Sequence, residues 1–239
     1  VPCHHEQACG IAAEAWGRIR ETFGVCMVTT GPGATNLITP VAGAWIESTP
    51  MLVISGQVKR SDLLGNRPLR QGGVQEVNIV PMLRHITKYA VTIEDPQKIR
   101  YYLECALYEM QNGRAGPVWL DVPLEVQAAM IDPEKLPQFT PPETLTSEAL
   151  NIAAGEVLAL LSTSKRPLIL AGHGVRLSGG AQALLTAAER LQVPIATTWN
   201  ALDIIPSHHP LCAGRPGVVA LRPSNFAVQN CDLLISIGC

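Results

Sequence analysis

The 239-residue chain has few of the features that mark membrane, nucleic-acid-binding or disulfide-stapled proteins. Its longest apolar runs, such as residues 233–237, are far shorter than the roughly 20 residues that a membrane-spanning helix needs. Its 18 Lys and Arg residues balance 20 Asp and Glu residues, for a net charge of -2, and no basic run could follow a phosphate backbone. We therefore expect neither a membrane nor a nucleic acid as a partner.

The seven cysteines include no Cys-x-x-Cys pair, and a chain of this length does not depend on disulfides for its core. This usage predicts a reduced, cytoplasmic compartment. His4 and His5, beside Cys3, lack the i, i+4 spacing that lets two imidazoles share an ion, so we predict no metal site in this chain. The chain begins at Val1 without a leader and ends on a strand-like segment, which predicts that both termini are truncated.

Helix-like and strand-like segments alternate along the chain, and this pattern predicts an α/β fold with parallel sheets. Residues 6–22 place apolar side chains near one helical face, at Ile11, Ala15, Trp16 and Ile19. Further helices are predicted at 34–45, 99–110, 147–161 and 181–191, and strands at 25–28, 51–54, 117–122, 168–170, 193–197 and 233–237.

A proline-rich stretch divides the chain into two predicted domains. Four prolines lie between residues 132 and 142 with few large apolar residues, which favours an extended connection. We therefore predict a first α/β domain at 1–128, a linker at 129–146 and a second α/β domain at 147–239. Residues 58–75 contain three glycines and several charges with little periodicity, and we interpret them as a long functional loop.

Three local features could carry chemistry. Glu6 lies in a first helical turn, where a carboxyl group can serve as an acid or base or simply as a surface residue favoured by the helix dipole. The turns at 31–33 and at 172–174 follow strands and suit either a ligand or tight packing. Neither turn completes the Gly-x-Gly-x-x-Gly pattern, which argues against a nicotinamide dehydrogenase.

The combination of short motifs is more specific than any one of them. In the first domain they are His5-Glu6-Gln7, residues 30–36, Ser48-Thr49-Pro50, Ser55-Gly56-Gln57, Val74-Gln75-Glu76, Ile86-Thr87-Lys88 and residues 113–123. In the second they are residues 167–174, 198–201 and 229–232. Over nearly the whole chain this set resembles thiamine-diphosphate-dependent enzymes of the acetolactate synthase type.

The resemblance implies a pyrimidine-type thiamine-diphosphate-binding domain that lacks its first strand, followed by a truncated Rossmann-like central domain. In that family the glutamate that matches Glu6 hydrogen-bonds N1′ of the cofactor's aminopyrimidine and promotes the imino form that removes the C2 proton. By the same resemblance Pro32, Gly33 and Asn36 line the aminopyrimidine pocket, and Gln75 approaches the reacting centre.

The resemblance also implies cofactors and partners. The diphosphate and its Mg²⁺ are held by a separate C-terminal domain with a Gly-Asp-Gly motif, and this chain has no Gly-Asp pair. Arg114, Gly172 and Gly174 match positions where FAD lies, so FAD is a candidate cofactor. The site of such enzymes lies at a dimer interface, so we expect a homo-oligomer, an inactive isolated fragment and, as a further candidate partner, a regulatory subunit.

The implied reaction is decarboxylation of a 2-oxo acid such as pyruvate, followed by carboligation to a second carbonyl compound. Two departures lie near the implied substrate position: Val74 replaces the usual Phe before Gln75, and residues 70–72 replace a segment that commonly holds an acid. Because of these departures, an alternative function is that of another decarboxylase, lyase or hydrolase of the same superfamily. A second alternative is that the chain is not part of an enzyme but a non-catalytic nucleotide-binding module.

Overall fold

A computed structural model describes residues 1–142 and 147–239. The chain divides into two compact units, Val1–Pro142 and Glu143–Cys239. Residues 143–146 of the predicted linker lie outside the described residues. The domain limits at 128 and 147 stay a prediction.

The first unit is a parallel sheet with helices, as the alternating pattern predicted. Its helices are α1 (Glu6–Arg20), α2 (Pro32–Asn36), α3 (Ile38–Ile46), α4 (Ile79–Leu83), α5 (Ile99–Gln111) and α6 (Leu124–Gln127). Its strands are β1 (Gly24–Val28), β2 (Met51–Gln57), β3 (Tyr89–Thr92) and β4 (Pro117–Pro123). The four strands follow the order β1-β2-β4-β3, and every pairing is parallel.

The central strands β2 and β4 are buried on both faces, which explains their continuous apolar sequences. Val53 and Trp119 belong to one buried cluster, which also contains residues of α1 and α3. Their neighbours Leu52, Val118 and Leu120 belong to another, which contains residues of α5. Because successive strand residues point to opposite faces, the two clusters lie on opposite sides of the sheet.

The helix predicted at 6–22 is present as α1, and the apolar residues identified on one of its faces are not buried. All four of these residues are exposed, Trp16 by 56% and Ile19 by 81%. The buried face carries small residues, including Gly10 and Gly17. A Cβ atom at Gly17 would lie 2.8 Å from the backbone nitrogen of Gly24, so α1 packs on β1 through backbone contact rather than through large side chains.

The single helix predicted at 34–45 is two helices that meet at Leu37. Pro40 falls in the first turn of α3, where its missing N–H would have no intrahelical partner. The short elements α4, β3 and α6 were not predicted from the sequence. These elements are too short to show a clear period.

The second unit is also a parallel α/β unit. Its elements are α7 (Ser147–Thr163), β5 (Pro167–Ala171), α8 (Gly174–Leu177), α9 (Ala181–Leu191), β6 (Ile195–Thr197), β7 (Cys212–Gly214), α10 (Arg222–Asn230) and β8 (Leu233–Ile237). The strand order is β7-β6-β5-β8, all parallel, so β5 has later strands on both sides. Such a reversal of strand order creates a crevice at the carboxyl ends of the strands.

Helix α7 is apolar but packs little. Leu150, Ile152, Leu158 and Leu160 are each more than half exposed, whereas Leu161 contacts the core of the unit. The helix predicted at 147–161 is therefore present, and most of its large apolar side chains are exposed. Within residues 1–142 and 147–239, no helix combines the length and apolar character needed to cross a bilayer.

Candidate functional site

Glu6 and Asn36 form the centre of the candidate site. Glu6 begins α1, where the Nδ1 atom of His5 caps the helix by accepting from the Gln7 backbone N–H at 3.1 Å. Asn36 ends α2 and donates from Nδ2 to the Glu6 Oε2 atom at 2.9 Å. This hydrogen bond is the main reason why the pKa of Glu6 lies below its usual value. Glu6 is therefore an ionised carboxylate at neutral pH in this chain.

The start of α2 requires glycine at two positions, Gly31 and Gly33. Gly31 has a φ of 63°, and a Cβ atom there would lie 2.1 Å from the carbonyl oxygen of Gln75. A Cβ atom at Gly33 would lie 2.7 Å from the Thr29 side chain and 3.5 Å from the Glu6 Oε1 atom. Glycine at Gly31 lets the Gln75 backbone approach closely, and glycine at Gly33 leaves room for the Thr29 side chain, with the Glu6 carboxylate next to it.

The structure thus brings five of the predicted site residues to one turn at the end of β1: Glu6, Pro32, Gly33, Asn36 and Gln75. The other three, Arg114, Gly172 and Gly174, lie elsewhere. The turn follows the carboxyl end of a parallel strand, which is where α/β folds place ligands.

The long loop at 58–75 is organised by a residue that the sequence analysis left without a role. The Glu76 carboxylate accepts backbone N–H groups of Leu64 at 2.6 Å, Gly72 at 2.7 Å and Gly73 at 3.1 Å. Burial alone would raise the pKa of Glu76, but these three donors, together with Arg67, bring the pKa below its usual value. A carboxylate directly after a glycine-rich loop is the sequence signal that could have identified it.

A buried polar network lies among the carboxyl ends of β2, β3 and β4. Asp121 accepts hydrogen bonds from the Ser55 hydroxyl at 2.6 Å, the Gln57 amide at 3.0 Å and the Thr92 hydroxyl at 3.2 Å. Trp119 Nε1 donates to Ser55 Oγ at 2.8 Å. Burial raises the pKa of Asp121, and the three hydrogen bonds oppose that effect in part. Ser55 and Asp121 are polar residues within otherwise apolar strands, and this feature of the sequence could have indicated the network.

Arg114 lies beside a separate cavity. Its Nε donates to Ser48 Oγ at 2.7 Å, and the neighbouring Lys88 ammonium donates to the Asn112 carbonyl oxygen. A cavity of about 500 Å³ is lined by these basic side chains and by the ring of Trp45. Burial lowers the pKa of Lys88. The cavity therefore combines two cationic groups with an aromatic surface.

Gly172 and Gly174 lie in the second unit, where the loop after β5 packs on the end of β8. Gly172 N–H donates to the Ile237 carbonyl oxygen, and Gly174 N–H donates to that of Gly238, each at 2.8 Å. A Cβ atom at Gly172 would lie 2.2 Å from the Gly238 carbonyl oxygen. Close packing is thus a sufficient reason for glycine at Gly172, and a cofactor role for Gly172 and Gly174 stays a prediction.

The described part of the chain contains no group of three or more His, Cys, Asp or Glu side chains that could hold a metal ion. The resemblance assigns the Mg²⁺ ligands to a different domain.

Comparison with protein families supports the resemblance in both units. Residues 1–101 match the model "Thiamine pyrophosphate enzyme, N-terminal TPP binding domain", and residues 154–239 match "Thiamine pyrophosphate enzyme, central domain". The chain therefore belongs to the thiamine pyrophosphate enzymes.

The curated proteins similar to this chain include several acetolactate synthase large subunits. The chain is 37% identical to the probable acetolactate synthase large subunit of Methanocaldococcus jannaschii, an alignment that covers 98% of this chain and 39% of that protein. It is 36% identical to the acetolactate synthase large subunit of Corynebacterium glutamicum, covering 100% of this chain and 37% of the relative. For the acetolactate synthase isozyme 1 large subunit of Escherichia coli the identity is 34%, with coverage of 100% and 41%. The chain spans about two fifths of the length of these relatives.

Proposed function

We propose that this chain supplies the aminopyrimidine half of a thiamine-diphosphate site in an acetolactate synthase-like enzyme. Such an enzyme decarboxylates a 2-oxo acid such as pyruvate and joins the product to a second carbonyl compound. The observation that carries the proposal is the Glu6–Asn36 pair, whose carboxylate lies next to the backbone of Gly33. The family match and the names of the relatives support it.

The residues fit an aminopyrimidine ring. Glu6 offers a carboxylate whose Oε2 is oriented by Asn36 while Oε1 faces Gly33. We propose that Glu6 holds the proton at N1′ of the ring, and that Pro32, Gly33 and Asn36 line the pocket. Gln75 would face the reacting centre from its loop. When bound, thiamine diphosphate supplies the electron sink that makes loss of carbon dioxide feasible.

Proton sharing at Glu6 requires a change in its surroundings. In this chain its pKa is lowered, whereas a carboxyl group that shares a proton near neutral pH must lose water and gain a proton-bearing partner. A second subunit that covers the site would provide that change. We therefore propose a homo-oligomer with the site at the dimer interface and with Mg²⁺ ligands outside this chain. We also propose a regulatory subunit, which the name "large subunit" of the relatives supports, and a reduced, cytoplasmic setting.

The cavity at Arg114 supports FAD as a second cofactor. The guanidinium of Arg114 and the ammonium of Lys88 suit the diphosphate of a dinucleotide, and the Trp45 ring offers an aromatic surface. Arg114 would then exchange its bond to Ser48 for one to the ligand. For Gly172 and Gly174, in the second unit, a role in FAD binding is proposed from the resemblance alone.

The test uses the complete protein that carries this chain, mixed with thiamine diphosphate, Mg²⁺ and pyruvate, with and without FAD. Acetolactate formation should fall about 100-fold or more in Glu6→Gln, because the variant cannot hold the proton at N1′. Glu94→Gln changes an exposed glutamate of the same unit and should keep wild-type activity. Equal activity in wild type and Glu6→Gln would contradict the proposal.

A second candidate function rests on Val74, which is 84% exposed directly before Gln75. Its small side chain leaves room where the resemblance expects a phenylalanine, and this favours a different oxo acid or acceptor. If the wild-type protein binds thiamine diphosphate but does not react with pyruvate, the substrate is a different oxo acid or acceptor. Failure to bind the cofactor would favour a non-catalytic module.

A further inference from the structure

Gln57 uses all four hydrogen-bonding positions of its amide. Its Nε2 donates to Asp121 Oδ2 and to the Val77 carbonyl oxygen, each at 3.0 Å. Its Oε1 accepts from the Thr30 hydroxyl and from the Val58 N–H, each at 2.9 Å. The residue is only 6% exposed, so a lost partner cannot easily be replaced by water.

Two of these partners belong to the two segments that form the candidate pocket. Thr30 directly precedes Gly31, and Val77 follows Gln75 by two residues. Gly31 and Gln75 are themselves in close contact, since a Cβ atom on Gly31 would lie 2.1 Å from the Gln75 carbonyl oxygen. One buried amide therefore joins both segments within two residues of the point where they meet.

Two backbone partners fix which way this amide points. The Val77 carbonyl oxygen can only accept, so Nε2 of Gln57 must face it, and the Val58 N–H can only donate, so Oε1 must face that group. Gln57 therefore has one orientation, in which Oε1 also accepts from Thr30 and the amide contacts both segments at once. Asp121 adds a further acceptor for Nε2, and its bond to Thr92 is not needed for this orientation.

We propose that Gln57 is a positioning residue that couples the segment 30–36 to the segment 72–77 and so sets the width of the aminopyrimidine pocket. The proposal rests on the proposed function for the identity of the ligand. Gln57 acts through Thr30 and Val77.

The test compares Gln57→Met with Thr92→Val. Met fills a similar volume but makes none of the four hydrogen bonds, whereas Thr92→Val removes one bond to Asp121 and touches neither segment. In the complete protein, the dissociation constant for thiamine diphosphate should rise about tenfold in Gln57→Met and change less than about twofold in Thr92→Val. At saturating cofactor the kcat of Gln57→Met should recover to within about threefold, because bound cofactor orders the two segments again.

Amide hydrogen exchange provides a readout without cofactor. In the apo protein, exchange in both segments should accelerate about tenfold in Gln57→Met and stay unchanged in Thr92→Val. If Gln57→Met does not fold, Thr30→Val removes one bond to the amide and should accelerate exchange at 30–36 about threefold.

Two results would overturn the proposal: equal effects of Gln57→Met and Thr92→Val, or a loss of kcat and stability at unchanged cofactor affinity. The hydrogen-exchange comparison is made without cofactor, so it tests the role of Gln57 independently of the proposed function. A wild type that does not bind thiamine diphosphate contradicts the function, while the exchange comparison still decides the coupling.

Discussion

Replacing Glu76 by Ala is expected to release the segment 64–73 while the sheet stays folded. The carboxylate accepts three backbone N–H groups, from Leu64, Gly72 and Gly73, and Glu76 is 8% exposed. A hydrogen bond to a charged acceptor contributes about 1.5–3 kcal/mol. Because the three amides regain water when the loop opens, we expect a total loss of about 2–4 kcal/mol, less than the sum of the three bonds.

Amide hydrogen exchange measures this loss directly. A change of about 2–4 kcal/mol corresponds to exchange that is on the order of 100-fold faster at Leu64, Gly72 and Gly73. Glu76→Gln is the matched control, because it keeps the volume and one acceptor oxygen and should give an intermediate acceleration. Unchanged exchange at the three amides in Glu76→Ala would refute the reasoning, since the loop would then be held by other contacts.

Three further substitutions test other parts of the structure. Because burial raises the pKa of Asp121, its contribution to stability is present below its ordinary pKa and lost as the pH rises through the raised value. The free energy of unfolding of wild type relative to Asp121→Asn should therefore fall in urea titrations as the pH rises above the ordinary pKa of an aspartate, and a rise would contradict this account. Ile19→Ser should change the free energy of unfolding by less than about 0.5 kcal/mol, because the side chain is 81% exposed; a loss of several times that amount would show that α1 is covered. Gly172→Ala should destabilise the protein by about 1–3 kcal/mol in the same assay because its Cβ would lie 2.2 Å from a backbone oxygen, whereas Gly155→Ala, with open space around it, should not destabilise it.

Long elements were predictable from the sequence because their patterns report burial directly. Strands β2 and β4 are buried on both faces and show continuous apolar runs, and α9 was predicted with its observed limits. The short strands β3 and β7 have too few residues for a period. For α1 the periodicity identified an apolar face, but a period alone cannot say what covers that face.

The candidate site was predictable only in part. The residues alone indicated Glu6 as a carboxyl group in a first helical turn, and the resemblance joined it to Asn36, thirty positions away. The roles of Gln57 and Glu76 were missed. Gln57 reaches Asp121 across 64 positions, and Glu76 reaches Leu64 across 12, so neither partner follows from local spacing.

The central claim is that the Glu6 carboxyl group meets the aminopyrimidine ring of thiamine diphosphate. Carboxyl-carbon NMR of glutamate-labelled complete protein, with Glu6→Gln to assign the resonance, would follow the pKa of Glu6 without and with saturating cofactor. The account predicts a pKa below the usual value without cofactor, as in this chain, and a clear rise when the cofactor is bound. A pKa of Glu6 that does not move while the cofactor saturates its site would contradict the claim.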